Sequence, residues 1–141
     1  MKDDVNTQIM ECFFQISRSL KGKMTYNTEI ANLSLLQLYT LMFIKRSDRD
    51  IHMKDIAEYF AIELPTATSL LNKLDKLGLV ARVIDREDRR NITVTLTTNG
   101  KKILAEAEKM HEKKLKKMLS YLSGGQKTSL LSILKTLSQQ I

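Results

Sequence analysis

The chain has one cysteine, one proline, five glycines and no tryptophan in 141 residues. A lone cysteine excludes an internal disulfide and any zinc site built on cysteine pairs. So little proline and glycine leaves few turns, which suits helices joined by short links. Aromatic residues make up only 6% of the chain. No apolar run approaches the roughly 18 residues needed to cross a bilayer. The opening MKDDVNTQIM is acidic and polar, unlike a secretory signal, so a cytoplasmic location is expected. A Gly-rich phosphate loop is missing, as is any nucleophile with a nearby base pattern, so neither catalysis nor a cofactor is expected.

What is present is a folded composition and a basic balance. Hydrophobic residues account for 43%, and the formal net charge is +7. The length suits one domain, or two small lobes sharing a core. Positive charge fits a polyanionic partner, either nucleic acid or an anionic membrane surface, without choosing between them.

The stretch LVARVIDREDRRNITVTLTTNG at residues 79–100 is the most informative. Val80, Val83 and Ile84 predict one short strand. Ile92, Val94 and Leu96 alternate with Thr93 and Thr95 in a second strand, with one face buried. Between them lies Asp85-Arg86-Glu87-Asp88-Arg89-Arg90. The acidic residues are expected to brace the turn by pairing with guanidiniums. The remaining arginines project, and a narrow arginine-tipped ribbon suits the negative minor groove of DNA. A self-paired, solvated hairpin tip is the plainer alternative. Before it, LPTATSLLNKLDKLG at residues 64–78 predicts a helix, with Pro65 in its first turn and Gly78 past its end. Ala67, Leu70, Leu71, Leu74 and Leu77 form its apolar stripe. Thr66, Ser69, Asn72, Lys73 and Lys76 lie opposite, with donors and acceptors suited to base edges and phosphates. Upstream, MKDIAEYF at residues 53–60 predicts a helix, joined by Ala61-Ile62-Glu63. Helix, short turn, helix and β-wing make a winged helix-turn-helix.

The run DREDRRNITVTLTTNGKKIL and the preceding MKDIAEYFAIELPTATSLLNKLDKLGLV resemble the MarR family of transcription regulators. The resemblance covers essentially the whole chain, and its specific part is residues 53–104. Arg86 stands where many members carry proline. Ser69 stands where some carry a longer basic residue, which shifts expected base readout onto Thr66, Thr68 and Lys73. In the family the first helix packs on the last two helices of a second subunit, and effectors are often small aromatic or phenolic anions. Both features are implied here by the resemblance.

The rest of the chain fits two lobes. Residues 5–21 predict a helix with Ile9, Phe13, Ile16 and Leu20 on one stripe, broadened by Met10 and Phe14. Residues 22–32 read as a looser link. Ser34-Leu35-Leu36-Gln37 forms a capping-box pattern before a helix to about Lys45, and Ile51 starts a very short strand. Thr97 or Thr98 caps a helix expected to run to about Leu122, near 36 Å long. Ser123-Gly124-Gly125-Gln126 is a second capping-box pattern, followed by Leu130, Leu134, Leu137 and Ile141. The first helix, the late part of the long helix and the last helix can bury one another across a two-fold axis, which predicts a homodimer.

The expected fold is therefore mainly α with a small β-wing. Residues 34–97 form a winged helix-turn-helix DNA-binding lobe, and residues 1–33 with 98–141 form a helical dimerisation region. The expected function is a sequence-specific regulator of double-stranded DNA at a near-palindromic operator. It is expected to act as a repressor released by a small molecule, with no membrane partner. Candidate recognition-helix contacts are Pro65, Thr66, Thr68, Ser69, Asn72, Lys73 and Lys76. Candidate wing contacts are Arg86, Arg89 and Arg90, oriented by Asp85 and Asp88. Two alternatives stand beside this reading. One is a winged-helix module that binds protein or RNA. The other is a redox-sensing regulator using Cys12, as in relatives that sense peroxides, although buried packing is the commoner fate of a free cysteine. Glu108 and His111 share a helix face, but two ligands fall short of a metal site. His52 reads as a cap or solvated residue.

Overall fold

The computed structural model describes residues 4–21 and 33–141, so the link expected at residues 22–32 lies outside the described residues. The chain clusters into two compact units. One contains the chain to Leu20 together with Lys109–Ile141, and the other runs to Glu108. The division falls inside the long helix, about halfway along, rather than at its start.

In the second unit, helix α2 (Leu35–Arg46) begins where a reciprocal cap satisfies its first amides. Ser34 Oγ accepts from the Gln37 amide at 3.1 Å, and Gln37 Oε1 accepts from the Ser34 amide at 2.8 Å. Two such bonds offset orphan donors that a helix start otherwise leaves to water. After a polar loop come strand β1 (Ile51–His52) and helix α3 (Met53–Tyr59). Asp55 reaches back to accept from the His52 amide at 2.8 Å and pairs with Arg49 at 3.2 Å. Those contacts, the amide first, hold the Asp55 carboxyl below its ordinary range. Helix α4 (Leu64–Lys76) carries proline in its first turn.

Strands β2 (Val80–Ile84) and β3 (Ile92–Leu96) form the hairpin, and β1 closes a three-stranded antiparallel sheet in the order β1-β3-β2. Arg82 lies opposite Val94, and Ile51 faces Val94 from the other side. Val94 is buried, whereas Val83 and Ile84 are exposed. The hairpin runs out past the core that buries its base, so these two are not the packed residues that their β-branching suggests. Leu77 is likewise exposed, because α4 ends at Lys76 and the chain turns away through Gly78.

Leu41, Ile56, Leu71, Leu74, Val94 and Leu104 are fully buried, so α2, α3, α4, β3 and the start of helix α5 (Thr98–Leu119) share one core. Helix α5 stops three residues earlier than its apolar pattern suggests, before a turn at Ser120–Leu122. Helix α6 (Gly124–Ser138) starts with the second reciprocal cap, between Ser123 and Gln126.

The first unit differs in kind. Among the described residues, every buried apolar one lies between Leu38 and Ala107. Helix α6 buries none of its residues. On helix α1 (Val5–Lys21), Phe13 is 52% and Phe14 is 68% exposed, with Ile9, Met10 and Ile16 also open.

Two backbone positions give opposite expectations for small changes at the α-carbon. Ala61, just past α3, has φ of 52°, a left-handed conformation that glycine adopts without steric cost. Ala61→Gly is expected to raise stability by about 1 kcal/mol. Gly100 lies in the first turn of α5, where adding a methyl would normally help a helix. A Cβ there would stand 2.0 Å from the Leu79 carbonyl oxygen. Gly100→Ala is therefore expected to cost about 3 kcal/mol or more. Urea unfolding of the two variants checks both signs.

Candidate nucleic-acid interface

Helix α4 buries Ala67, Leu70, Leu71 and Leu74. The same periodicity leaves Pro65, Thr66, Ser69, Asn72, Lys73 and Lys76 exposed. Thr66, Ser69 and Lys73 line an open groove that continues to Ser34 and Gln37 at the start of α2. Thr68 departs from the set. It is half-buried, and its hydroxyl donates to the Leu64 carbonyl and lies 3.0 Å from Met53 Sδ. Its position one step round from Ser69 turns it toward α3, so its hydroxyl is spent within the fold.

Asn72 is exposed yet engaged. Its Oδ1 accepts from Arg82 Nη2. Arg82 Nε lies 3.8 Å from Asp75 Oδ2, and the Arg82 side chain is 24% exposed. One guanidinium on β2 therefore bridges two residues of α4. Sequence reasoning passed over Arg82. The signal was there in the strand's period of two, because Arg82 shares its face with buried Val80. A cation at an inward position needs a partner.

At the tip, the carboxylates hold backbone more than guanidinium. Asp85 Oδ1 accepts from the Glu87 amide at 2.9 Å, and Oδ2 accepts from Asn91 Nδ2 at 3.4 Å. The Glu87 amide, followed by Asn91, keeps the Asp85 carboxyl below its usual range. Asp85 thus shapes the turn and touches none of the arginines, contrary to the expectation that it orients them. Asp88 Oδ1 accepts from the Arg90 amide at 3.0 Å and lies 3.6 Å from Arg90 Nε. Arg90 is 96% exposed even so. Arg86 and Arg89 are exposed and have no carboxylate partner among the described residues. Short acidic side chains, tied to amides, turn the chain so that three guanidiniums face solvent together.

The other candidates fall elsewhere. Cys12 is exposed on α1 rather than packed. His52 occupies the cap position of α3, with Nδ1 3.4 Å from Asp55 Oδ2. Glu108 pairs with Lys45 at 2.9 Å, and Glu112 with Lys116 at 2.7 Å, so neither carboxylate is turned to His111. Among the described residues, no cluster of three His, Cys, Asp or Glu side chains could hold a metal ion. No described helix is long and apolar enough to cross a membrane.

Comparison with known proteins gives this arrangement a context. The MarR family profile matches residues 31–91. The HTH-type transcriptional regulator YfiV of Bacillus subtilis is 34% identical over 110 residues, covering 78% of this chain and 68% of that protein. SarZ of Staphylococcus haemolyticus, also an HTH-type transcriptional regulator, is 29% identical over 96 residues, covering 68% of this chain and 65% of SarZ. The chain spans about two-thirds of the length of these relatives. Among solved structures, the S. aureus MepR–DNA complex aligns with a TM-score of 0.78 at 19% identity, covering 99% of this chain and 100% of that one. The repressor CouR bound to a 23-mer DNA duplex aligns at 0.79 and 21% identity, covering 96% and 92%. At these identities the two structures establish the fold alone. The relatives named by sequence are transcription regulators rather than enzymes. The chain belongs to the MarR family of winged helix-turn-helix transcription regulators.

Proposed function

We propose that this regulator is a homodimer that binds a near-palindromic operator in duplex DNA and represses transcription until a small effector releases it. The carrying observation is the wing tip, where Arg86, Arg89 and Arg90 are all exposed on a turn braced from within. Arginine on a narrow ribbon fits a minor groove, while the hydroxyls and ammonium groups of α4 suit the adjoining major groove. Thr66, Ser69 and Lys73 are the primary readers, with Pro65 setting the helix start and Lys76 a peripheral phosphate contact. Dimerisation rests on the open apolar faces of α1 and α6, which a second copy would cover. Two recognition helices would then sit about 34 Å apart, one helical turn of DNA. The effector class, a small aromatic or phenolic anion, rests on family resemblance.

Selection of bound duplexes from a random pool at physiological salt tests the reading. A near-palindrome is the expected product. Binding without a common motif that vanishes as salt rises would leave only unspecific charge attraction, and preferential capture of structured RNA would favour the alternative module.

Two sets of variants refine it. Arg89→Ala and Arg90→Ala are each expected to weaken operator binding about 10- to 100-fold, as removal of a charge-assisted hydrogen bond would, with thermal stability unchanged. The salt slope should fall by about one for each phosphate left without its cation. Arg82 acts through position, by fixing the wing against α4, so Arg82→Ala is expected to weaken binding without touching DNA. Asn72 then works mainly as the partner of Arg82. A double-mutant cycle on operator affinity should show Arg82→Ala with Asn72→Ala no worse than Arg82→Ala alone. Additive losses would mean that Asn72 meets DNA directly.

A further inference from the structure

The wing carries an apolar feature that its arginines do not explain. Val83 is 54% and Ile84 is 57% exposed, at adjacent positions of β2 where the strand has outrun the core. Strand geometry sends their side chains to opposite faces of the hairpin. Val80, Arg82 and Ile84 share one face, and Val80 is buried at its base. Arg82 on that face reaches Asn72 and Asp75 of α4, so the face is turned toward the recognition helix. Ile84 stands one step further out on it, directly opposite Ile92 of β3. Ile92 is half-buried, and β1 ends level with Thr93, one residue short of it. The isoleucine pair is bounded inward by Arg82 and outward by Asp85 and Asn91, whose side chains are joined to each other within the turn. A single exposed apolar residue is ordinary, and Val83, which faces away from α4, is one. Ile84 differs in where it faces.

With α4 in a major groove and the wing tip in the neighbouring minor groove, one sugar–phosphate strand runs between α4 and the hairpin. The face that carries Ile84 meets that strand. We propose that Ile84, backed by Ile92, packs on the deoxyribose C–H surface of this strand and is a further DNA-contact residue of the wing. The proposal rests on the operator-binding reading above. Arg86, Arg89 and Arg90 draw the tip to the anionic groove, and Arg82 is already bridged to α4. Between these cations the hairpin offers carbon, and between its phosphates the DNA strand offers carbon too. Taking water from both favours the bound state without displacing counterions. A second copy of the hairpin fits this face less well. It would set three more exposed guanidiniums against the three of the first, and like charges brought opposite one another are destabilising.

The test measures affinity for the selected operator over a range of salt for the parent, Ile84→Thr and Val83→Thr. Threonine keeps the β-branch that suits a strand, so unchanged melting temperatures show an intact fold. Ile84→Thr is expected to bind about 5- to 10-fold more weakly, as loss of a partly buried apolar side chain would, with the salt slope unchanged. Val83→Thr, on the opposite face, should match the parent. Ile84→Val trims a single carbon and keeps the test decisive should threonine lower the melting temperature; its expected loss is about twofold. Calorimetry supplies a second sign, because operator binding by Ile84→Thr should show a less negative heat-capacity change than binding by the parent. Equal losses in Val83→Thr and Ile84→Thr would overturn the proposal, since both would reflect a loosened hairpin. A loss in Ile84→Thr with a lowered salt slope would overturn it as well, by showing that the residue acts through the arginines. So would parental affinity in Ile84→Thr, whether or not self-association of the protein had changed. A parent protein that binds no operator would overturn the operator reading, and this proposal with it.

Discussion

The fold turns on the joint where α4 ends, β2 begins and α5 starts. Thr97 Oγ1 donates to the Gly78 carbonyl at 2.6 Å and accepts from the Gly100 amide at 2.9 Å. The Thr97 amide donates to the Leu79 carbonyl at 3.1 Å. One threonine therefore caps α5 and ties it to the turn that closes α4. Gly78 makes the turn at φ of 72°, and Gly100 lets the α5 backbone lie directly on Leu79. The end of the recognition helix, the base of the wing and the first turn of α5 cannot move independently. The Arg82 bridge to Asn72 and Asp75 repeats that logic further out, where the hairpin has left the core. The proposed DNA contacts would be built on this frame, so that residues outside the interface would set its geometry.

Charge is handled differently at each level of the structure. Inside the winged unit, carboxylates are used to organise backbone. Asp55 caps α3, and Asp85 and Asp88 close the wing turn. They are three of eleven acids that, against twelve lysines and arginines, bring residues 33–108 to a formal +1, and these three turn their charge onto backbone amides. The arginines point the other way. A nearly neutral unit can thus present a sharply positive tip, and a local field of this kind suits a groove better than diffuse charge does.

Much of this was legible in the residues. Both capping boxes, the Pro65 helix start and the strand alternation around Val94 are local patterns with local causes, and they appear where expected. Failures cluster where local pattern meets the edge of the core. Val83 and Ile84 are β-branched in a true strand, yet the strand outruns the surface that would bury them. Thr68 and Ser69 are adjacent small polar residues, and only the rotation of α4 against α3 separates a spent hydroxyl from an open one. Arg82 looked like one more cation in a basic stretch, because its partners lie 10 and 7 residues upstream on another element. Asp85 was assigned to the arginines by proximity in sequence, although amides two residues on are the nearer donors in a tight turn.

The helical unit poses the remaining physical problem. A helix of 15 residues is marginal in water without tertiary contacts, and none of the residues of α6 is fully buried. Helix α1 is in a similar position, with two phenylalanines open to solvent. In the proposed dimer a second copy supplies the missing burial, so the helical unit reaches full stability only as the dimer forms. Operator binding then needs two recognition helices held at a fixed spacing by elements whose own order depends on association. A ligand that loosens this unit would change DNA affinity without approaching the wing, since the spacing of the two lobes is what a near-palindromic site measures.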